Sequence, residues 1–467
     1  MYECFRPLFE NETIAIVGFG REGKATYKLF RKLFLERKIT IADQNEVVES
    51  ASEIQGDNNI DFITGNSILE KLDGFSMIIK TPGISLKSSE LKYDQRVCSQ
   101  TDLFLSVFKK QVIGVTGTKG KSTTSSLIYH ILKENGKNVI LAGNIGISPF
   151  ELIDTIDDST IIVYELSSHQ LEFVHHSPHI SILLNYFQEH LDHYNSYYDY
   201  KKAKYNIVRY QTEEDYFIFN AENIELIPIF EVKKPESKLY PFFQSEEISL
   251  KEKVVFGKLD VSIDSQLWKL VKDSVKTALP GNHNRLNIMA AMHACELTGI
   301  EYCDQLKAVA SFNPLEHRIE YFGTFRSRKF YNDSISTIPE AAIAAVNALS
   351  ESIGSVDTLI LGGYDRGIDY SILVDFVRSS ALKNILFIGK AGARMRSLIE
   401  PNIGANTIQL FSPENYKEVV KIAFEVTPEK GVVLLSPAAS SYDMFKNFEE
   451  RGRYFKQLVK DCCESIF

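Results

Sequence analysis

The 467-residue sequence lacks several features that mark specialised classes of protein. Its six cysteines include no Cys-x-x-Cys spacing, so neither a zinc site nor a disulfide framework is indicated. No apolar run approaches the length of about 18 residues that a membrane-spanning helix needs, and Glu3 and Glu10 come too early for a secretory leader. Basic residues are outnumbered, 52 against 61 acidic ones, and the net charge of -9 disfavours a broad nucleic-acid surface. We therefore expect a cytoplasmic protein without a membrane or nucleic-acid partner.

The composition is that of an ordinary globular protein, with 44% hydrophobic and 24% charged residues. The chain is too long for one core and predicts three domains, at residues 1–108, 109–314 and 315–467. Within each of them, apolar strand-like runs alternate with polar loops and helical patterns. Short connections between such elements predict an α/β fold built on parallel sheets.

The stretch "GVTGTKGKSTTSSL", which begins at Gly114, predicts a phosphate-binding loop. Its glycines allow backbone N–H groups to converge at the start of a helix, whose dipole favours an anion. Lys121 and Ser122 supply the ammonium and the hydroxyl that such loops direct at phosphate and Mg. The spacing is a variant, because the common pattern would place its first glycine at Val115.

The first block also carries a glycine-rich turn, in "TIAIVGFGREGKATYKLF". Gly18, Gly20 and Gly23 follow a strand-like run, and Asp43 ends the next one, which matches a dinucleotide-binding fingerprint. The same turn also occurs where a helix only packs closely on a strand, so NAD(P) binding stays one alternative. Gly83 lies in a second loop at the predicted carboxyl edge of this sheet.

In the central block, polar side chains repeatedly follow apolar strands. Asn144, Glu165, His190 and Asp192 each come at or just after the end of such a run. Because the carboxyl ends of parallel strands share one edge, we expect these groups to converge beside the phosphate loop. The whole pattern predicts a Rossmann-like first domain, a central ATPase-like parallel sheet and a Rossmann-like third domain.

Seven segments in order resemble the Mur ligases, a family of ATP-dependent, amide-forming enzymes of peptidoglycan precursor synthesis. They are "GVTGTKGKS", "ELSSHQLE", "EHLDHY", "GNHN", "HRIE", "NDS" and "LLSPAASSYDMFKNFEERG". The second and the last are most similar to the members that add glutamate to UDP-N-acetylmuramoyl-L-alanine. The resemblance implies a reaction in which ATP phosphorylates the substrate carboxylate and the amino group of glutamate attacks the resulting acyl phosphate.

The resemblance also implies the ATP site and the catalytic centre. Lys121, Glu165, His190 and Lys204 would be catalytic, and Ser122 with Glu165 would hold one of two Mg ions. His190 would hold the second ion, together with Lys204 once carbon dioxide has carbamylated its amine. The residues implied at ATP are Gly117, Thr118, Lys119, Gly120, Lys121, Ser122, Thr123, Asn284, Asn287, Arg318 and Asp333.

Two further sets of residues follow from the same resemblance. The UDP-linked substrate would be bound by Gly18, Gly20, Arg21, Glu22, Asp43, Gly83, Asn144 and Ser167. Glutamate would be bound by Thr337, Arg366, Ser441 and Phe448. The chain departs from the glutamate-adding pattern where "DSISTI" puts Ile335 in place of a lysine and where Arg366 stands for a lysine. An arginine fork binds carboxylates differently, so L-glutamate is a real alternative, while D-glutamate stays the main expectation because the resemblance implies it as the usual substrate.

Three other interpretations are weaker. Folylpolyglutamate synthases have a similar "GTKGK" loop but no UDP-binding first block. An NAD-dependent dehydrogenase would use the first glycine-rich turn and leave Lys121, Glu165 and His190 without a role. A non-catalytic nucleotide-binding protein would not need those residues together with Lys204. The expected protein is a monomer that uses ATP and Mg.

Overall fold

The computed structural model describes residues 1–87, 89–94, 96–143, 147–189, 193–243, 267, 269–271, 279, 281–313, 316–403 and 408–464. These residues form three sheets, one in each third of the chain, with helices between the strands. The predicted α/β fold class with parallel sheets is confirmed. No helix within the described ranges is both long and apolar enough to cross a membrane.

The first sheet is parallel throughout and has the strand order β3-β2-β1-β4-β5. Its elements are α1 (Arg6–Phe9), β1 (Ile14–Val17), α2 (Arg21–Leu33), β2 (Ile39–Asp43), β3 (Ile60–Thr64), β4 (Met77–Lys80), β5 (Val97–Ser99) and α3 (Gln100–Phe108). The strand order reverses between β1 and β4, where parallel sheets open a crevice for ligands at their carboxyl edge. The glycine-rich turn and the Gly83 loop follow these two strands.

The second sheet is also parallel, with the order β11-β10-β9-β6-β8-β7. Its strands are β6 (Val112–Thr116), β7 (Val139–Gly143), β8 (Ile161–Glu165), β9 (Ile180–Leu183), β10 (Tyr216–Asn220) and β11 (Lys238–Phe242). The helices are α4 (Lys121–Glu134), α5 (Ser168–Leu171), α6 (Tyr197–Arg209), α7 (Ile227–Val232), α8 (Asn282–Glu296) and α9 (Tyr302–Ser311). β6 lies inside the sheet and is fully buried, as the apolar run "VIGVT" requires.

The third sheet has the order β12-β13-β17-β14-β15-β16. Its strands are β12 (Glu320–Phe325), β13 (Arg328–Asn332), β14 (Thr358–Gly362), β15 (Asn384–Ile388), β16 (Gln409–Phe411) and β17 (Val432–Leu435). The helices are α10 (Pro339–Ile353), α11 (Ser371–Ser379), α12 (Gly389–Ile399), α13 (Tyr416–Val426) and α14 (Phe448–Glu464). One edge differs from the predicted parallel pattern, because β12 and β13 are antiparallel. Arg326 and Ser327 connect them at positive φ, without the glycine or asparagine that usually signals such a turn.

The chain divides into two compact units, one of residues Met1–Lys276 with His283–Ser311, the other of Thr277–Asn282 with Phe312–Phe467. The first unit contains two sheets, which share a continuous core that includes Phe104, Tyr164 and Leu183. The predicted boundary at 108/109 therefore lies inside a compact unit, between α3 and β6. The boundary at 314/315 falls on residues outside the described ranges. The division into three domains stays a prediction.

Candidate active site

The phosphate loop joins β6 to α4 at the carboxyl edge of the second sheet. Gly120 has a φ of 87° and precedes the first residue of α4. A Cβ at Gly120 would meet Oδ1 of Asn287 at 2.5 Å, and one at Gly117 would meet Cβ of Leu184 at 2.9 Å. Side chains are thus excluded at both glycines by close packing, and by backbone conformation at Gly120.

The loop is held by contacts that the sequence does not reveal. The Asn185 side chain accepts from the backbone N–H of Lys119 (2.8 Å) and donates to its carbonyl (3.0 Å). The hydroxyl of Thr118 contacts that of Tyr200 at 2.7 Å. Lys121, the first residue of α4, donates from Nζ to the carbonyls of Gly117 (2.9 Å) and Thr118 (3.0 Å). Its ammonium therefore lies over the loop.

Ser122 and Thr123 occupy the first turn of α4. Thr123 is buried, whereas Ser122 is partly exposed. Glu165 ends β8 and is fully buried. In the parallel register of β6 and β8 it lies beside Val115, two residues before the loop begins. The structure therefore brings Glu165 to the edge that carries the phosphate loop, as predicted.

Lys204 reaches the same loop from α6. Its side chain is 2% exposed, and Nζ donates to the carbonyl of Gly117 at 2.9 Å. Burial lowers the pKa of Lys204 well below its usual value, and the nearby charge of Lys121 lowers it further, against the opposing effect of Glu189 and Glu165. Two lysines from different helices thus share one backbone carbonyl. His190 and Asp192, the other groups expected here, lie outside the described residues.

Helix α8 brings the two predicted asparagines to the loop. Asn284 and Asn287 are both buried, and Nδ2 of Asn287 donates to Oδ1 of Asn284 at 3.1 Å. The close approach of Asn287 to Gly120 places this pair directly beside the helix start. Nothing in their local sequence pattern distinguishes them from core residues, so only the resemblance could identify them.

At the first sheet, the glycine-rich turn packs on the loop after β4. A Cβ at Gly18 would meet Oγ1 of Thr81 at 2.1 Å, so the two loops are in close contact. The backbone N–H of Phe19 donates to the Asp43 carboxylate at 2.7 Å, which fixes the turn beside the end of β2. Gly20, Arg21 and Gly83 are exposed at this same edge.

Glu22 and Ser167 have partners inside the protein. Glu22 is buried and accepts from Nε2 of Gln170 at 2.7 Å; burial raises its pKa, and this hydrogen bond partly offsets the effect. Ser167 caps α5 reciprocally with Gln170. These contacts join the two sheets of the first unit next to Glu165. Asn144 lies outside the described residues.

In the second unit, the residues predicted at ATP surround the start of β12 and the end of β13. Asp333 is buried and accepts from the hydroxyls of Ser336 and Ser436, each at 2.6 Å. Burial raises its pKa to about 6, although these hydrogen bonds and the charge of Arg318 oppose the shift. The residues on both sides of Arg318, His317 and Ile319, have positive φ, so the chain presents Arg318 from a strained turn.

Of the residues predicted at glutamate, Thr337, Arg366 and Ser441 lie on loops after strands of the third sheet, and Phe448 begins α14. Arg366 donates from Nη2 to the carbonyl of Thr337 at 3.1 Å, and Phe448 accepts at its carbonyl from the hydroxyl of Ser334 at 2.8 Å. Ser441 is buried in the loop after β17.

Arg451 is a residue of this region that the sequence analysis missed. Its guanidinium is fully buried and donates to the hydroxyl and carbonyl of Ser334 and to the carbonyl of Ala439. It thereby fixes the loop that carries Thr337 to the one that carries Ser441. Arg451 lies in the segment "FEERG", but that pattern does not predict that the arginine side chain is buried.

These features define a nucleotide-binding α/β protein with a variant phosphate loop and a buried, deprotonation-prone lysine. The chain belongs to the Mur ligase family. The Mur ligase middle domain matches residues 115–295. Members of this family are ATP-dependent ligases that form amide bonds in peptidoglycan synthesis.

Similar proteins have been named more specifically. UDP-N-acetylmuramoylalanine--D-glutamate ligase of Acetivibrio thermocellus is 31% identical, over 97% of both chains. The enzyme of that name from Bacillus cereus is 32% identical, over 97% of this chain and 98% of its own. The MurF ligase of Thermotoga maritima, solved in complex with ADP, superposes with a TM-score of 0.55 at 14% identity, over 96% of this chain and 95% of that one. The last comparison concerns the fold alone.

Proposed function

We propose that this protein joins D-glutamate to UDP-N-acetylmuramoyl-L-alanine with ATP as the energy source. The γ-phosphoryl group of ATP passes to an oxygen of the substrate carboxylate, and ADP leaves. The amino nitrogen of glutamate then attacks the carbonyl carbon of the acyl phosphate, phosphate leaves, and the nitrogen gives up a proton. The names of full-length relatives support D-glutamate, and the convergence of Lys121 and Lys204 on the phosphate loop is the observation that carries the chemistry.

The residues of the phosphate loop would bind ATP and neutralise its charge. Lys121 would withdraw from the loop carbonyls to the outer phosphates, while Gly117 to Thr123 offer backbone N–H groups and hydroxyls at the start of α4. Asn284 and Asn287 would lie at the adenine side, Arg318 at the phosphates and Asp333 at the ribose. Holding ATP and a carboxylate together is most of the catalytic task in such a transfer.

The donor set suits two Mg ions. The buried carboxylate of Glu165 and the hydroxyl of Ser122 are oxygen ligands of the type that Mg prefers, and we assign one ion to them. We assign the other to His190 and to Lys204 as a carbamate, since a buried lysine with a depressed pKa offers the neutral amine that reacts with carbon dioxide. When bound, the ions would offset the negative charge of the transferring phosphoryl group.

The two other substrates would occupy the remaining predicted residues. The UDP-linked sugar would bind at the edge of the first sheet and next to α5, at Gly18, Gly20, Arg21, Glu22, Asp43, Gly83, Asn144 and Ser167. Glutamate would bind at Thr337, Arg366, Ser441 and Phe448. These assignments suggest three functional domains, at 1–108, 109–314 and 315–467. Because one chain supplies every residue and ATP is a cytoplasmic metabolite, we propose a monomer that acts in the cytoplasm.

The experiment is phosphate release from ATP and Mg with UDP-N-acetylmuramoyl-L-alanine and either D- or L-glutamate. We expect release with D-glutamate and formation of the dipeptide product. Release with L-glutamate alone would replace the proposal by the L-specific ligase, which the substituted Ile335 and Arg366 keep as the second candidate. No release with either enantiomer would contradict both.

A further inference from the structure

A cavity of about 280 Å³ lies between the first sheet and α6, on residues that the proposed ligase reaction does not use. One wall is the chain around β5 and the segment that follows α5. The other wall is a stripe of α6 that includes Lys202, Asn206 and Arg209, spaced four and three residues apart so that they share one helix face. Lys204, on the same helix, contacts the phosphate loop instead.

The acidic groups at one side of the cavity already have cationic partners. Asp94 accepts from Nη2 of Arg96 at 2.6 Å. Glu172 accepts from Nε2 of His193 at 3.0 Å and from Nζ of Lys80 at 3.4 Å. Their negative charge is therefore compensated within the protein.

The basic groups are not compensated in the same way. Among the residues that the structure describes, neither Lys202 nor Arg209 has a carboxylate within ion-pair distance, and the Arg209 guanidinium has only a ring contact, 5.8 Å from the centroid of Tyr210. The remaining acid of the lining, Asp199, lies three residues before Lys202 on α6 and ten residues, about 15 Å along the helix, before Arg209, so it is close to Lys202 but far from Arg209. His175 also lines the cavity with its side chain half-exposed, but its Nδ1 lies 3.2 Å from the Asp102 carboxylate, so the positive charge at this end comes from Arg209. The Arg209 end of the cavity is therefore cationic.

Asn206 adds a second, independent feature. Its side chain is 7% exposed, and Nδ2 donates to the carbonyl of Leu171 at 3.0 Å. Its Oδ1 is buried and has no hydrogen-bond partner among the described residues. A buried acceptor without a donor is rare, because folding has removed it from water without replacing the hydrogen bond. Asn206 lines the cavity but its Oδ1 has almost no accessible surface, so a ligand N–H or O–H group would supply the missing donor after a rotation of the side chain.

We propose that this cavity binds a small hydroxy- or amino-carboxylate. Its carboxylate would pair with Arg209 and Lys202, and the adjacent hydroxyl or ammonium would donate to Oδ1 of Asn206. This site is separate from the phosphate loop, and it goes beyond the proposed ligase reaction.

The test is a calorimetric titration of the full chain, saturated with ADP and Mg, with malate and with succinate, which differ by one hydroxyl. Malate should bind measurably more tightly than succinate, because only malate offers a donor to Asn206. Arg209→Ala should weaken malate binding by at least about tenfold, the loss expected for a charge-assisted carboxylate contact. Lys28→Ala, which removes an exposed cation of the same unit, should leave the affinity unchanged.

Absence of malate binding to the unaltered protein, or equal binding to Arg209→Ala, would overturn the proposal. Arg209→Gln, which keeps a long polar side chain, serves if the alanine variant does not fold by circular dichroism. Arg366→Ala should not change malate binding, which separates this cavity from the proposed glutamate site. Phosphate release by Arg209→Ala reports on the ligase reaction independently, so the two proposals can fail separately.

Discussion

The carboxyl edges of the first two sheets each bury a lysine, and the surroundings of these lysines differ. Lys80, at the end of β4, has its Nζ 3.4 Å from the Glu172 carboxylate and 5.2 Å from the ring centroid of Phe173. Lys204 has its Nζ on a backbone carbonyl, with Lys121 on that carbonyl as well. Burial lowers both pKa values and carboxylates oppose the shift at both lysines, but at Lys204 the neighbouring cation Lys121 adds to the shift.

The comparison shows that two buried lysines can have different electrostatic surroundings. An ammonium beside a carboxylate is a structural ion pair that links the first sheet to the segment after α5. An amine beside a second cation is favoured in its neutral form, and the neutral amine is a nucleophile. Burial alone therefore does not identify a reactive lysine. The neighbouring charges distinguish Lys204 from Lys80.

The largest expected effect is the loss of ligase activity when Lys204 is replaced. Lys204→Ala should reduce phosphate release by at least about a thousandfold, because it removes a proposed metal ligand from the catalytic centre. Short carboxylic acids or bicarbonate should restore part of the rate by occupying the space of the carbamate. Lys28→Ala is the matched control, since it removes an exposed lysine of the same unit. Full turnover by Lys204→Ala would show that the reaction does not need a carbamate on Lys204.

The second prediction concerns the free energy of unfolding after replacement of Lys80 or Lys204. Lys80→Met should lower the free energy of unfolding by about 3 kcal/mol, because it leaves Glu172 buried without its lysine. Lys204→Met should leave it unchanged or raise it by about 1 kcal/mol, because Lys204 forms no ion pair with any residue that the structure describes. Urea unfolding at neutral pH measures both. Destabilisation of equal size in the two variants would contradict the distinction.

A third prediction concerns pH and another buried contact of the first unit. The Asp102 carboxylate accepts from the backbone N–H groups and the Nδ1 atoms of His175 and His176. Burial alone would raise the pKa of Asp102, but these hydrogen bonds outweigh it and lower the pKa to about 2, from an ordinary 3.8. A depressed carboxylate pKa stabilises the fold above the ordinary value, and this stability is lost as the pH falls through the lowered one.

Urea unfolding between pH 5 and pH 2 tests this contact. The native protein should lose about 2 kcal/mol more over that range than Asp102→Asn, which has no carboxylate to protonate. The His175 contribution has the opposite sign: its hydrogen bond to Asp102 raises the His175 pKa, so this stability is present at low pH and fades as the pH rises. Identical acid profiles for the two proteins would refute the assignment.

The smallest expected effect concerns glutamate. Arg366→Lys should raise the KM for D-glutamate by about three- to tenfold with kcat little changed, because a lysine cannot form the bidentate pair of a guanidinium. Steady-state phosphate release at varied glutamate measures it. An unchanged KM in the variant would show that Arg366 does not contact the carboxylate.

The sequence predicts the strands, the phosphate loop and the sheet register better than it predicts side-chain contacts and turn conformations. The run "VIGVT" and the glycines after it suffice to predict a buried strand and a phosphate loop, and parallel register then brings Glu165 beside Val115. Local patterns do not predict that Asn185 forms hydrogen bonds with the phosphate loop. They also do not predict that Arg326 and Ser327 connect two antiparallel strands. Those features depend on contacts between distant residues and on backbone strain, which carry no periodic signal.

The central claim is that Lys204, unlike Lys80, reacts with carbon dioxide. It is tested most directly by ¹³C NMR of the protein equilibrated with ¹³C-bicarbonate and Mg. We expect a carbamate resonance in the unaltered protein and in Lys80→Met, and none in Lys204→Met. A resonance that persists in Lys204→Met, or that is absent from an unaltered protein with full ligase activity, would contradict the account.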